Sequence, residues 1–367
     1  MAEPLRPDPD AAWCAAVEVL EDAWVVPPTQ SAMVQAAGVL RADGSYAPMG
    51  ATWRGRTALT TEPPLPEAGA KLSGAHLYGG LLWVHFGHFL CESTSRLWAA
   101  PEVPDDVQSI VFFAKRPRLG DTQMPLHTAF LEMMGIDLPL TILTEPTQFE
   151  RLHVPGQGFG LGTIAEGTPA FRQFIHSSFA QGIAAEGPER LYLSRSALGA
   201  KRGGIFAEEY LEQNLAREGY EIFHPQKHTM AEQIARYKAA RQIVSLDGSA
   251  LHLFGFVARP EQQVAMILRR SHPAYRNIVR QLQGFAGIET LVIDAIQADW
   301  VPEGRTKADR LSVGQLDLER LADALRTGGF IDSDTPWEAP NWRYYRRAAR
   351  AMSKGPKSGL RQISRTP

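Results

Sequence analysis

Cysteine is scarce in this chain: Cys14 and Cys91 are the only two among 367 residues. They stand far apart and form neither a disulfide framework nor a metal-ligand spacing, which points to a reducing compartment. Long apolar runs are missing as well. No stretch approaches the roughly 20 apolar residues of a membrane span. The opening residues, MAEPLRPDPDAAW, lack the basic start and apolar core of a signal peptide. A soluble, cytoplasmic protein is expected. An excess of one charge is also absent: the formal net charge is −2, which gives no global argument for nucleic acid. Nor does an acidic pair stand at a convincing strand end. Asp105-Asp106 follows a proline-rich turn, and residues 332–334 read as a loop. No metal site and no cofactor are expected.

What is present is ordinary globular material, 44% hydrophobic and 21% charged, and enough of it for two domains. Residues 191–256 organise the rest. Apolar runs of strand length at 191–193 and 243–246 alternate with segments in which Ile205, Tyr210, Leu211 and Leu215 recur at helical spacing. Further strand–helix pairs continue through 263–285 and 290–326. That alternation predicts a parallel α/β sheet. In such sheets ligands bind outside the carboxyl ends of the strands. Two strand ends carry suitable residues: Ser194, Arg195, Lys201 and Arg202 after the first, and Asp247, Gly248, Ser249 and His252 after the third. The guanidinium forks suit phosphate oxygens. A surface basic loop is the plain alternative. Gly248 and Ser249 stand at a helix N-terminus, which favours anions, although Asp247 or Ser249 could serve only as an N-cap. Glu232 and Gln233, one turn into the preceding helix, could reach a sugar hydroxyl; Glu232 could equally answer only the helix dipole.

The N-terminal part reads as short strands, with a hairpin turn at residues 42–45. At 77–99 comes LYGGLLWVHFGHFLCESTSRLWA, in which Gly79-Gly80 is expected to break the chain ahead of a helix starting near His85 or Gly87. On that helix His88, Glu92 and Arg96 would share a face at i, i+4 and i+8. They suit either a salt-bridge ladder or the wall of a cleft, with His85 joining them or capping the helix. The glycine-rich 156–162 segment lacks the flanking strand and helix of a dinucleotide fingerprint and reads as an interdomain connection. A helix over 169–185 is expected to lead into the second domain. Beyond Pro336 the tail is aromatic, then basic, with no acid after Glu338. It suits either contact with an anionic membrane or a solvated terminus, and its last dozen residues are expected to be disordered.

In order, YLSR, a basic pair, an acidic helix start, EGYEIFHP, an EQ-bearing helix, AARQIV and GSALH resemble glycosyltransferase family 61. The upstream His–Phe–Leu motif, with its acidic residue and arginine, is similar too. In particular, the whole resembles bacterial members linked to capsular polysaccharide synthesis. The resemblance covers residues 77–256. It implies an α/β fold of GT-B type: two Rossmann-like domains facing a cleft, the N-terminal one with extra β-strands. Expected bounds are 1–165 for the acceptor-side domain, 166–335 for the nucleotide-sugar domain and 336–367 for the tail. It further implies inverting, metal-independent transfer from a nucleotide-sugar to a glycan or lipid-linked glycan in surface polysaccharide synthesis. By the resemblance, Ser194, Arg195, Glu232, Gln233, Gly248 and Ser249 lie on the donor side, with Lys201, Arg202 and His252 beside them. His88 and Glu92 lie toward the acceptor, with His85 and Arg96. Where many relatives have histidine, this chain has Asp247. Glu92 is the first choice of base, then His88, then Asp247. A nucleotide-sugar epimerase or hydrolase and a catalytically silent binding scaffold are the alternatives.

Overall fold

The structure is a computed structural model that describes residues 5–120, 122–198, 202–352 and 359–363. The chain divides into two compact units, Met1–Gln181 and Gly182–Pro367.

Besides four two-residue strands, the first unit contains β1 (Val17–Val26), β2 (Gly38–Leu40), β3 (Ala70–Leu82), β4 (Val107–Ala114), β5 (Leu140–Leu143) and β6 (Thr147–Pro155). Among the described residues they form a six-stranded sheet in the order β2-β1-β6-β3-β4-β5. β6, β3, β4 and β5 run parallel, while β1 and β2 add an antiparallel edge. VQSIVFFA in β4 is buried at every position but Gln108, as a strand covered on both faces should be. The hairpin turn expected at 42–45 is present, with Arg41 N–H donating to Ser45 O at 2.8 Å and Leu40 bridging Tyr46.

Gly79-Gly80 does not break the chain; it lies inside β3. A Cβ on Gly79 would sit 2.4 Å from the Phe112 ring, so glycine is what lets β3 approach β4. Gly80, at φ +90°, follows a shift of register between the two strands. The expected helix over 85–96 is also revised. One α-turn, Phe86–His88, continues as a π-helix, Phe89–Ser93, and there stops. Its end is a run of hydroxyls that bond backbone instead of extending the helix: Thr94 Oγ1 donates to Leu90 O at 2.7 Å and Ser95 Oγ to Glu92 O at 2.8 Å.

Helices α1 (Pro125–Met133) and α2 (Pro169–Ser178) complete this unit. Thr168 caps α2 by accepting from Phe171 N–H at 3.1 Å, and Phe171 stacks on Phe159 at 5.0 Å. α2 therefore belongs to the first unit, and the 156–162 segment is a buried loop of that unit rather than a linker. A Cβ on Gly156 would lie 2.0 Å from Trp13 O. Close packing explains the glycine there.

The second unit contains β7 (Arg190–Leu193), β8 (Gly204–Ile205), α3 (Glu208–Arg217), β9 (Glu221–Phe223), α4 (Met230–Ala239) and β10 (Gln242–Leu246). It continues with α5 (Ala250–Val257), β11 (Gln263–Ile267), α6 (Tyr275–Ala286), β12 (Leu291–Ile293) and β13 (Ile296–Pro302). β14 (Val313–Leu316), α7 (Leu318–Thr327), α8 (Trp342–Met352) and β15 (Leu360–Ile363) follow. The order β9-β7-β10-β11-β12 makes a parallel sheet. Strand order thus reverses between β7 and β10, as in doubly wound folds. Tyr192, Leu211, Leu215, Val244, Ala265 and Ile267 are buried in the core of this unit. A smaller sheet, β8-β14-β13-β15, was not anticipated. It arises because residues 290–296 form two strands rather than one, and because the tail is built into the fold. β15 pairs with β13, placing Ile363 opposite Asp299. Residues 360–363, expected to be disordered, are a strand.

Candidate active site

The first unit gathers chemistry around Glu92. The π-helix turns this carboxylate inward, where it is fully buried. Arg54, at the end of a short strand (Trp53–Arg54), reaches it in a two-point pair, Nε to Oε1 at 2.5 Å and Nη2 to Oε2 at 2.8 Å. His88 lies one turn back, its side chain 30% exposed, with Nδ1 3.1 Å from Arg54 Nη2 and 3.5 Å from Glu92 Oε2. The imidazole stacks on Trp83 at 4.7 Å, and His85 stands 5.0 Å from it. Arg54, Lys115 and Arg116 lie over the Trp83 ring at 5.5, 5.9 and 5.5 Å. Burial alone would raise the Glu92 carboxyl, but the hydrogen bonds from Arg54 and His88 outweigh it and hold the group below its ordinary range. Burial pushes the Lys115 ammonium down to about 8.

Arg96 is not part of this cluster. Because the helix ends before it, its guanidinium turns into the core and donates to Pro155 O and, at 2.6 Å, to Ala51 O. Its side chain is completely buried. The acceptor-side role expected for Arg96 gives way to that of a tie between β6 and the 48–52 turn.

In the second unit the strand-order reversal puts the ends of β7 and β10 side by side, with Leu193 opposite Ser245. Ser194 and Arg195 leave the first strand; Asp247 and Gly248 leave the second. The turn after β7 is anchored by Glu208 at the start of α3, which accepts from Arg195 N–H at 2.6 Å and Tyr192 OH at 3.0 Å. Ser194 is absorbed by this anchoring, its hydroxyl donating to Glu212 at 2.5 Å. The Arg195 side chain lies along Gly248, where an added Cβ would come within 2.8 Å of Nη1. Arg202, exposed, offers its carbonyl to Arg195 Nη2 at 3.2 Å. Lys201 lies outside the described residues.

Two arginines not foreseen complete the group. Arg269 and Arg270 follow β11 and are 6% and 9% exposed. Asp247 faces both: Oδ1 accepts from Arg269 N–H at 2.9 Å and lies 3.5 Å from its Nε, and Oδ2 lies 4.0 Å from Arg270 Nε. Asp247 is thus a buried counter-ion, closed to a role as base. Burial and then the charge of Arg269 push both Arg195 and Arg270 down to about 10. Among the described residues, the buried N–H groups Arg195 Nε, Arg269 Nη1 and Arg270 Nε have no acceptor. A buried donor without a partner costs about 1–3 kcal/mol. All three arginines lie around Asp247 beside the switch point, where an anionic ligand would supply acceptors.

Three of the remaining expected donor residues, Glu232, Gln233 and His252, make hydrogen bonds within the fold. Glu232 closes a capping box with Thr229, accepting from its N–H at 2.7 Å. Gln233 donates to Pro225 O at 2.9 Å and His228 O at 3.2 Å. His252, buried between α5 and α6, places Nδ1 2.6 Å from Gln281 Oε1. Ser249 precedes α5 without a side-chain cap. Among the described residues, His, Cys, Asp and Glu form no group of three or more placed to hold a metal ion. Arg269 and Arg270 were open to the rule that found Arg195, since both follow a predicted strand. Arg54 had no local signal.

A parallel sheet whose strand order reverses, with buried guanidiniums grouped beside the reversal, places the second unit among α/β proteins. Residues 86–265 match the family model described as Glycosyltransferase 61. The chain belongs to glycosyltransferase family 61, and the family implies glycosyltransferase activity. The matched stretch contains His88, Glu92, Arg195 and Asp247, but ends short of Arg269 and begins after Arg54. No curated protein matches the chain.

Proposed function

We propose that the protein is an inverting glycosyltransferase of GT-B type that holds a nucleotide-diphosphate sugar at the switch point of the second unit. The supporting observation is the trio of buried arginine N–H donors, on Arg195, Arg269 and Arg270, that have no acceptor among the described residues. Guanidiniums of this kind match pyrophosphate oxygens in pairs. The acceptor hydroxyl oxygen attacks the anomeric carbon on the face opposite the nucleotide. The bond from that carbon to the pyrophosphate oxygen breaks, and its electron pair leaves with the nucleoside diphosphate. The three guanidiniums meet the charge that develops there, a role that a cation performs in other transferases.

His88 is the better base. Glu92 is completely buried and spent on Arg54, whereas the His88 ring is 30% exposed. Nδ1 accepts from Arg54 Nη2 at 3.1 Å in this geometry. The base-competent tautomer therefore requires the ring to turn Nδ1–H from Arg54 onto Glu92 Oε2, 3.5 Å away, leaving Nε2 to take the acceptor proton. Glu92 then balances the imidazolium, and Arg54 holds Glu92 in place. The acceptor as a glycan or lipid-linked glycan, and a place in surface polysaccharide synthesis, come from the family resemblance alone.

Calorimetric titration with a panel of nucleoside diphosphates, each with and without a divalent cation, tests the donor site. The wild type is expected to bind at least one without metal, and Arg269→Ala to lose most of that affinity. Equal binding by Arg269→Ala, or no binding to any nucleotide, refutes the assignment.

A further inference from the structure

The tail forms an unusual surface. α8 (Trp342–Met352) packs on the second unit through one face only, burying Ala349 against Phe206 and Val313, with Tyr345 and Ala348 alongside. Tyr344 adds a ring contact with Tyr210 at 5.7 Å and donates its hydroxyl to Glu209. The opposite face is open. Trp342 is 61% exposed, and Arg343, Arg346, Arg347 and Arg350 are exposed as well. At about 100° per residue these five side chains fall in an arc of roughly 140°. The guanidiniums of Arg343 and Arg346 both lie 5.5 Å from the Trp342 ring centre. The face thus carries four positive charges and one large indole, with no carboxylate on the helix.

We propose that this face of α8 docks on an anionic lipid bilayer, its arginines on the headgroups and Trp342 at the interface. An amphipathic indole settles where an apolar region meets a wet one. Lysines and arginines near an anionic leaflet contribute in proportion to their number. An extended polyanion fits less well: the chain has a net charge of −2, and the cations of this face lie on one short helix instead of lining a groove. No helix among the described residues is long and apolar enough to cross a membrane, so the contact is peripheral. Nothing in this assignment depends on the transferase reading.

Flotation of the full chain with phosphatidylcholine vesicles, with and without phosphatidylglycerol, is the test. Binding is expected only with the anionic lipid and is expected to weaken as salt rises. The triple variant Arg346→Gln/Arg347→Gln/Arg350→Gln is expected to bind roughly a hundredfold more weakly, at about fivefold per arginine. Its melting temperature should stay unchanged, because these side chains point away from the packed face. Brominated lipid should quench the wild type more than Trp342→Phe. Equal binding to neutral vesicles, or undiminished binding by the triple variant, overturns the proposal. So does a result in which poly-uridylate binds the wild type while anionic vesicles do not.

Discussion

Arg195 supplies the sharpest test, because its expected effects on stability and on binding have opposite signs. Its guanidinium is buried beside Arg269 and Arg270 and is pushed well below the ordinary arginine range, to about 10. At about 1.36 kcal/mol per pH unit, that drop corresponds to roughly 3 kcal/mol against holding the charge in the folded chain. The sign is that of a depressed base: the cost is fully present below about pH 10 and fades only as pH rises from there toward the ordinary arginine range. Arg195→Met removes the charge and keeps most of the volume. The variant gives up a hydrogen bond to Arg202 O, about 1 kcal/mol. A net stabilisation of about 1–2 kcal/mol at neutral pH is therefore expected, read as a raised urea midpoint with unchanged slope. Nucleoside diphosphate affinity should fall at least tenfold, since a charge-assisted hydrogen bond contributes about 1.5–3 kcal/mol. The wild type should gain more from added nucleotide in the same melt than the variant does. If Arg195→Met is destabilised and binds nucleotide normally, the arginine is a structural element and the crowded-cation argument fails.

Replacing the groups around Glu92 separates base from support. His88→Ala is expected to lower turnover by about 10²- to 10⁴-fold with little change in melting, because the ring is partly exposed. Glu92→Gln leaves the partly exposed Arg54 without its counter-ion and is expected to cost about 1–3 kcal/mol of stability; normal melting in that variant would show the pair to be dispensable. The same pair sets an acid limit. The Glu92 carboxyl is held below its reference of 4.5, so its contribution is present above that pH and is lost as pH falls through the folded value. Acid unfolding followed by circular dichroism should therefore show a component that Glu92→Gln lacks.

Strand and helix periodicity are properties of neighbouring residues. That is why β7, β10, β11 and the helices between them could be read directly, and why Arg195 and Asp247 could be placed at strand ends before any coordinates existed. The family resemblance pointed to the same region. The order of the strands in the sheet is a different matter, since parallel pairing joins segments far apart in the chain. Only the fold brings Arg269 onto Asp247, or Arg54 onto Glu92, 38 residues away. Burial is likewise collective. His88, Glu92 and Arg96 looked equivalent on a helical wheel, yet the π-helical winding leaves His88 half-open, seals Glu92 and sends Arg96 into the core. Glu232 and Gln233, suggestive in sequence, are held by the local needs of a helix start. Local pattern determined which residues could form the elements and turns of this protein. Tertiary packing decided which of its charges lie together, which are shielded from water, and so which can act on a ligand.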